Sequence, residues 1–97
     1  MENFTRISRA GGMWNFLKPD GSFLSARWFL TARNFQEGFA KVRREDKMYN
    51  FITIDGTLLS KEWFVLAWNF QEGFARVQME DGSWYKLATD GTLHKIK

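Results

Sequence analysis

Phe35-Gln36-Glu37-Gly38-Phe39-Ala40-Lys41-Val42 recurs 35 residues further on as Phe70-Gln71-Glu72-Gly73-Phe74-Ala75-Arg76-Val77. Laid on each other without a gap, residues 4–38 and 39–73 agree at 17 of 35 positions. Unrelated sequence of average composition would agree at about two. Residues 39–62 and 74–97 agree at 9 of 24. The pattern divides a single repeat domain, 1–97, into units 4–38 and 39–73 and a partial unit 74–97.

Each unit reads locally as β structure. Phe39-Ala40-Lys41-Val42-Arg43 alternates as a strand does, and Phe4 to Ile7 and Phe74 to Val77 are its counterparts. Turn residues follow at Gly11-Gly12, Asp46-Lys47 and Asp81-Gly82. A second strand is expected over Trp14–Leu17, Tyr49–Ile54 and Trp84–Leu87, where aromatic and β-branched residues gather. Asp20-Gly21, Asp55-Gly56 and Asp90-Gly91 then signal a second hairpin. The period changes in the remainder, residues 25–37 and 60–72. Trp63, Ala67 and Phe70 fall at i, i+4 and i+7 behind Ser60, and Trp28, Ala32 and Phe35 repeat this behind Ser25. The fold expected is mainly β: tandem repeats of antiparallel hairpins or three-stranded meanders, in which residues 25–37 and 60–72 read as a short helical turn by their spacing and as a fourth strand by their aromatic content.

A unit of this size cannot bury its apolar face alone, so stacked units must bury one another. Ten Phe and five Trp supply the means. Chain length argues for one core rather than two. Phe4, Phe39 and Phe74 should share one environment, and Phe35 and Phe70 should be core. The partial unit lacks counterparts of Trp63, Phe64, Ala67 and Phe70, which predicts poor cover over Leu87 and Leu93. The strand at Phe4–Ile7 is a candidate open edge. The lysines around His94-Lys95-Ile96-Lys97 can guard the other edge, so a monomer is favoured over a dimer.

Composition removes most chemistry. There is no cysteine, and His94 is the sole histidine, so zinc sites and Ser-His-Asp triads have little to build on. No cofactor is expected. Asp20, Asp55 and Asp90 precede glycine and read as turn residues; Glu37 and Glu72 recur with the repeat instead of marking one cleft. No apolar run is long enough to span a bilayer, and the first residues lack a signal-peptide core. If Met1 is the native start, the expected location is the cytoplasm.

The motifs resemble the WG-repeat, or KWG-repeat, family of bacterial β-rich repeat proteins. Its consensus runs roughly G-K-W-G-Y-I-D-x-x-G, then an aromatic spacer, then F-x-E-G-L-A-x-V. Gly12-Met13-Trp14-Asn15-Phe16-Leu17-Lys18-Pro19-Asp20-Gly21 is similar to the first part and Phe35 to Val42 to the second. The glycine that names the motif is Asn15, Asn50 and Tyr85 here. Asn tolerates a left-handed backbone, so a bulge is expected at the first two positions and a regular strand at Tyr85. The resemblance implies a β-rich repeat fold and a binding or scaffold role.

Individual character lies where the copies disagree. Arg27 aligns with Glu62, Arg33 with Trp68, and Arg43-Arg44 with Gln78-Met79. Residues 1–47 hold nine Lys/Arg against five Asp/Glu, a balance of +4; residues 48–97 hold five against six, a balance of −1. Trp68 alone among the tryptophans lacks an aromatic at its repeat equivalent. The reading is a non-enzymatic module that binds protein, neighbouring repeats or a ligand, with Arg27, Arg33, Arg43, Arg44 and Trp68 as candidate contacts. The alternative is an anion or nucleic-acid binder using the arginine-rich first half.

Overall fold

Alternating side chains between tight turns fix the strands. The computed structural model describes residues 4–96. Its strands are β1 (Thr5–Arg9), β2 (Met13–Leu17), β3 (Thr31–Ala32), β4 (Phe39–Arg43), β5 (Tyr49–Thr53), β6 (Leu66–Ala67), β7 (Phe74–Gln78), β8 (Trp84–Ala88) and β9 (Leu93–Lys95). They form three antiparallel sheets, ordered β1-β2, β3-β4-β5 and β6-β7-β8-β9. The fold is all-β, with no helix among the described residues. Registers correspond at an offset of 35: Ala32 pairs with Val42 and Ala67 with Val77, while Lys41 pairs with Phe51 and Arg76 with Lys86.

The helical turn expected over 25–37 and 60–72 is absent. Its apparent helical face is divided between two cores. Trp63 packs against the cluster of Phe16, Phe29, Ala32, Ala40, Val42 and Ile52, whereas Ala67 and Phe70 belong to the cluster that holds Phe51. Ser60 does not cap a helix; its hydroxyl accepts the Glu62 N–H at 3.0 Å in a local turn. Phe64 then bridges back to Tyr49, and Leu66–Ala67 pairs with β7. Strand pairing satisfies this backbone better than a turn of helix lacking one continuous apolar face.

Asn15 and Asn50 explain how the chain leaves and rejoins the sheet. Neither has a left-handed backbone, contrary to the bulge expected from the sequence. Both are fully buried. The Asn50 amide donates to the Ser60 carbonyl at 2.9 Å and the Glu62 carbonyl at 3.2 Å. Its Oδ1 accepts the Phe51 N–H at 2.7 Å. Asn15 does the same work with Ser25 and Phe16. The side chain thus pairs backbone groups that the excursion takes out of the ladder. Opposite Tyr85, which offers no such amide, β9 pairs regularly, and Ile96 donates to the Trp84 carbonyl at 2.9 Å.

Two cores form instead of one, because the middle sheet is buried on both faces. Ala40, Val42 and Ile52 join Phe16, Phe29 and Ala32 on one side. Phe51 belongs to the other side, with Phe64, Ala67, Phe70, Ala75, Val77 and Leu87. Neighbouring residues of a strand face opposite ways, so Phe51 and Ile52 serve different cores. Leu87 is therefore fully buried, against the expectation that it would lack cover. Gly56 and Gly91, in the Asp-Gly turns that follow β5 and β8, carry positive φ and also seat on the preceding loop. A Cβ at Gly56 would overlap the Leu24 carbonyl oxygen, and one at Gly91 would lie 2.6 Å from that of Leu59. The assembly is an elongated slab of 44 × 29 × 17 Å.

Candidate functional site at the outer face of the last sheet

In β7 and β8, Ala75, Val77, Tyr85 and Leu87 share the face turned to the core, by register and packing. Phe74, Arg76, Gln78, Trp84 and Lys86 share the other. Phe74, Arg76 and Lys86 of that face line an open groove of about 790 Å³ with Trp68, Asn69, Gln71 and Glu72. Trp68 is 51% exposed and Phe74 41%. The Trp68 N–H bonds the Arg76 carbonyl at 2.9 Å, which fixes the indole at the groove's lip. Its ring lies on Trp84, centroids 5.0 Å apart and planes 7° from parallel. The Arg76 guanidinium stands 5.6 Å from the Trp68 ring, and Lys86 Nζ 5.6 Å from the Phe74 ring. Two aromatic platforms with a cation each make a surface that can stack, accept apolar side chains and donate hydrogen bonds.

Corresponding positions on the middle sheet are covered. The Phe39 ring stacks on Phe70 at 4.5 Å, and Phe51 meets the same ring edge-on at 4.9 Å. Lys41 Nζ donates to the Ala67 carbonyl at 2.9 Å. Burial of its stem and the nearby Arg33 charge hold the Lys41 ammonium below its ordinary pKa. The Glu37 carboxylate accepts the N–H groups of Glu72 and Gly73 at 3.1 and 3.2 Å. On the first sheet, Phe4 and Phe16 hold Phe35 at 5.3 and 5.0 Å, and Arg6 donates to the Ala32 carbonyl at 2.9 Å. Phe4, Phe39 and Phe74 are therefore not in one environment, since only Phe74 has no phenylalanine stacked against it among the described residues.

The structure places the sequence-derived arginines elsewhere. Arg27 and Arg44 converge on Trp63, 5.6 and 4.4 Å from its ring. Arg44 also pairs with Asp46 at 2.6 Å; the hydrogen bond raises the guanidinium's pKa and holds the carboxyl below its usual range. Arg43 lies 4.7 Å from the Tyr49 ring and donates to the Lys47 carbonyl. Arg33 is exposed beside Lys41. Four of these five candidates thus lie on the middle of the slab, and only Trp68 lines the groove. Sequence reasoning missed Phe74, Arg76, Trp84, Lys86 and Glu72. A signal was present: Lys86 occupies the position of Phe16 and Phe51, a charge where the other copies bury a ring.

Among the described residues no cluster of three or more His, Cys, Asp or Glu side chains is arranged to hold a metal ion. Among the described residues no helix is long and apolar enough to cross a membrane. No protein-family model matches the chain, and no curated protein matches it significantly.

Proposed function

We propose that the chain is a non-enzymatic interaction module of the WG-repeat type, built from tandem units of about 35 residues, which binds another protein through the outer face of its last sheet. The observation that carries this reading is the open groove lined by Trp68, Phe74, Arg76 and Lys86 on the outer face of β7 and β8, with Trp84 stacked on Trp68 beside it. Aromatic residues and arginine are the side chains that concentrate binding energy at protein interfaces. The same positions on the middle sheet are filled by polypeptide, which makes polypeptide the ligand class of choice.

Selection from a random peptide library tests it. The intact chain should enrich aromatic-containing peptides, and Trp68→Ala should abolish their binding while leaving the circular dichroism spectrum intact. Failure to enrich any peptide, or enrichment unaffected by Trp68→Ala, would remove the reading. A second reading has one observation in its favour, the convergence of Arg27 and Arg44 on Trp63. It makes the module an anion or nucleic-acid binder and predicts heparin retention that falls steeply with salt. The guanidinium groups already stand over the ring that a base would need, and Arg44 is paired with Asp46.

A further inference from the structure

The molecule displays, twice over, what such a groove accepts. Phe70 occupies a slot between Phe39 and Phe51, the Ala67 carbonyl of the same segment accepts from Lys41, and the Glu72-Gly73 turn that closes the segment donates its two N–H groups to Glu37. Phe35 fills the preceding slot between Phe4 and Phe16, with Ala32 bonded to Arg6. Thirty-five residues on from Phe39, Phe51, Lys41 and Glu37, the receiving groups are Phe74, Lys86, Arg76 and Glu72. Among the described residues, the side chains of Arg76 and Glu72 make no hydrogen bond. We propose that this groove binds a segment of a partner polypeptide with the pattern Ala-x-x-Phe-x-x-Gly, extended through its phenylalanine and turning at its glycine as the docked segments do. This rests on the interaction-module reading and specifies its ligand.

Each contact has its counterpart. The partner's phenylalanine ring enters between Phe74 and the Lys86 ammonium, exchanging one aromatic wall for a cation. The carbonyl of its alanine accepts a hydrogen bond from Arg76. The backbone N–H groups at and just before its glycine donate to the Glu72 carboxylate, a charge-assisted pair. Trp68 and Trp84 flank the entry as an apolar platform. A second copy of this chain is the poorer occupant, because its own two segments of this pattern are already docked within it. Lys86 also favours an occupant that leaves its ammonium in contact with water, which a full apolar sheet would not.

The test is a titration of the isotopically labelled intact chain with the synthetic peptide Thr-Ala-Arg-Asn-Phe-Gln-Glu-Gly, followed by amide and indole N–H shifts. Saturable shifts are expected at the Trp68 and Trp84 indoles and at the Phe74 and Arg76 amides. Replacing the peptide's Phe by Ala should weaken binding by at least about tenfold, the scale set by burying one aromatic ring. Arg76→Ala and Phe74→Ala, both at exposed positions, should each weaken it severalfold without loss of fold. No saturable shift at millimolar peptide, equal binding of the Ala peptide, or shifts confined to β1 would each overturn the proposal. So would sedimentation showing that the chain alone dimerises at micromolar concentration with the groove shifts already present. A library that enriches peptides of another pattern, lost in Trp68→Ala, would overturn this inference while leaving the interaction-module reading standing.

Discussion

Asn50 illustrates how one buried side chain governs a local path. It holds two carbonyls and the Phe51 N–H that the Ser60–Trp63 excursion leaves outside the ladder. Asn50→Ala should therefore destabilise by about 2–4 kcal/mol, since several buried backbone groups lose their partner together. Urea unfolding would show this as a lower midpoint at unchanged slope. The aspartates of the turns act on a different axis. Hydroxyl hydrogen bonds from Ser22, Thr53, Ser83 and Thr92 hold Asp20, Asp55, Asp81 and Asp90 below the ordinary carboxyl value of 3.8. A folded-state pKa below the unfolded one favours the native state above 3.8, and that gain is lost as pH falls through the folded values. The urea midpoint should fall on acidification from pH 4 to pH 2, and replacing the four aspartates by Asn should flatten the decline. An unchanged slope in the variant would refute the assignment. None of this was legible at Asn50 from the sequence, because Asn is equally at home in a left-handed turn and in a buried amide bridge; only three-dimensional contacts choose.

At the scale of elements, much of the hairpin structure was legible. The strand expected over 39–43 runs Phe39–Arg43, and that expected over Tyr49–Ile54 runs Tyr49–Thr53. Period-two alternation and Asp-Gly turns are local signals, so local reading found them. The segment around Trp63–Phe70 misled because its apolar spacing comes from docking into two cores, a long-range fact that imitates a helical face. The same long-range docking grades the phenylalanines. Phe70 is only 3% exposed, held by Phe39 and Phe51, whereas Phe35 is half-buried and Phe74 stands open. Phe70→Ala should destabilise by about 3–5 kcal/mol and Phe74→Ala by less than about 1 kcal/mol, with Phe35→Ala between them. Thermal and urea midpoints would check the order. Equal losses at Phe70 and Phe74 would mean that the last sheet's outer face is buried.

Across the whole molecule, three sheets follow one another, and burial falls from the middle outward. The middle sheet is covered on both faces, while β1 is mostly exposed and the outer face of β7-β8 is the groove. The candidate site was only partly legible for this reason. Trp68 stood out because its equivalent is Arg33, yet a charge asymmetry pointed to the arginines, which the fold places against Trp63 and Tyr49. Which aromatic face meets a ligand is thus the account's central claim. Fluorine resonances of the chain with its five tryptophans replaced by 5-fluorotryptophan test it directly. On addition of a library-selected peptide, the Trp68 and Trp84 lines should move and saturate together, while Trp14, Trp28 and Trp63 stay in place. A single-stranded oligonucleotide should leave all of them unmoved. Movement of Trp63 with Trp68 and Trp84 unchanged, under either ligand, would contradict the account.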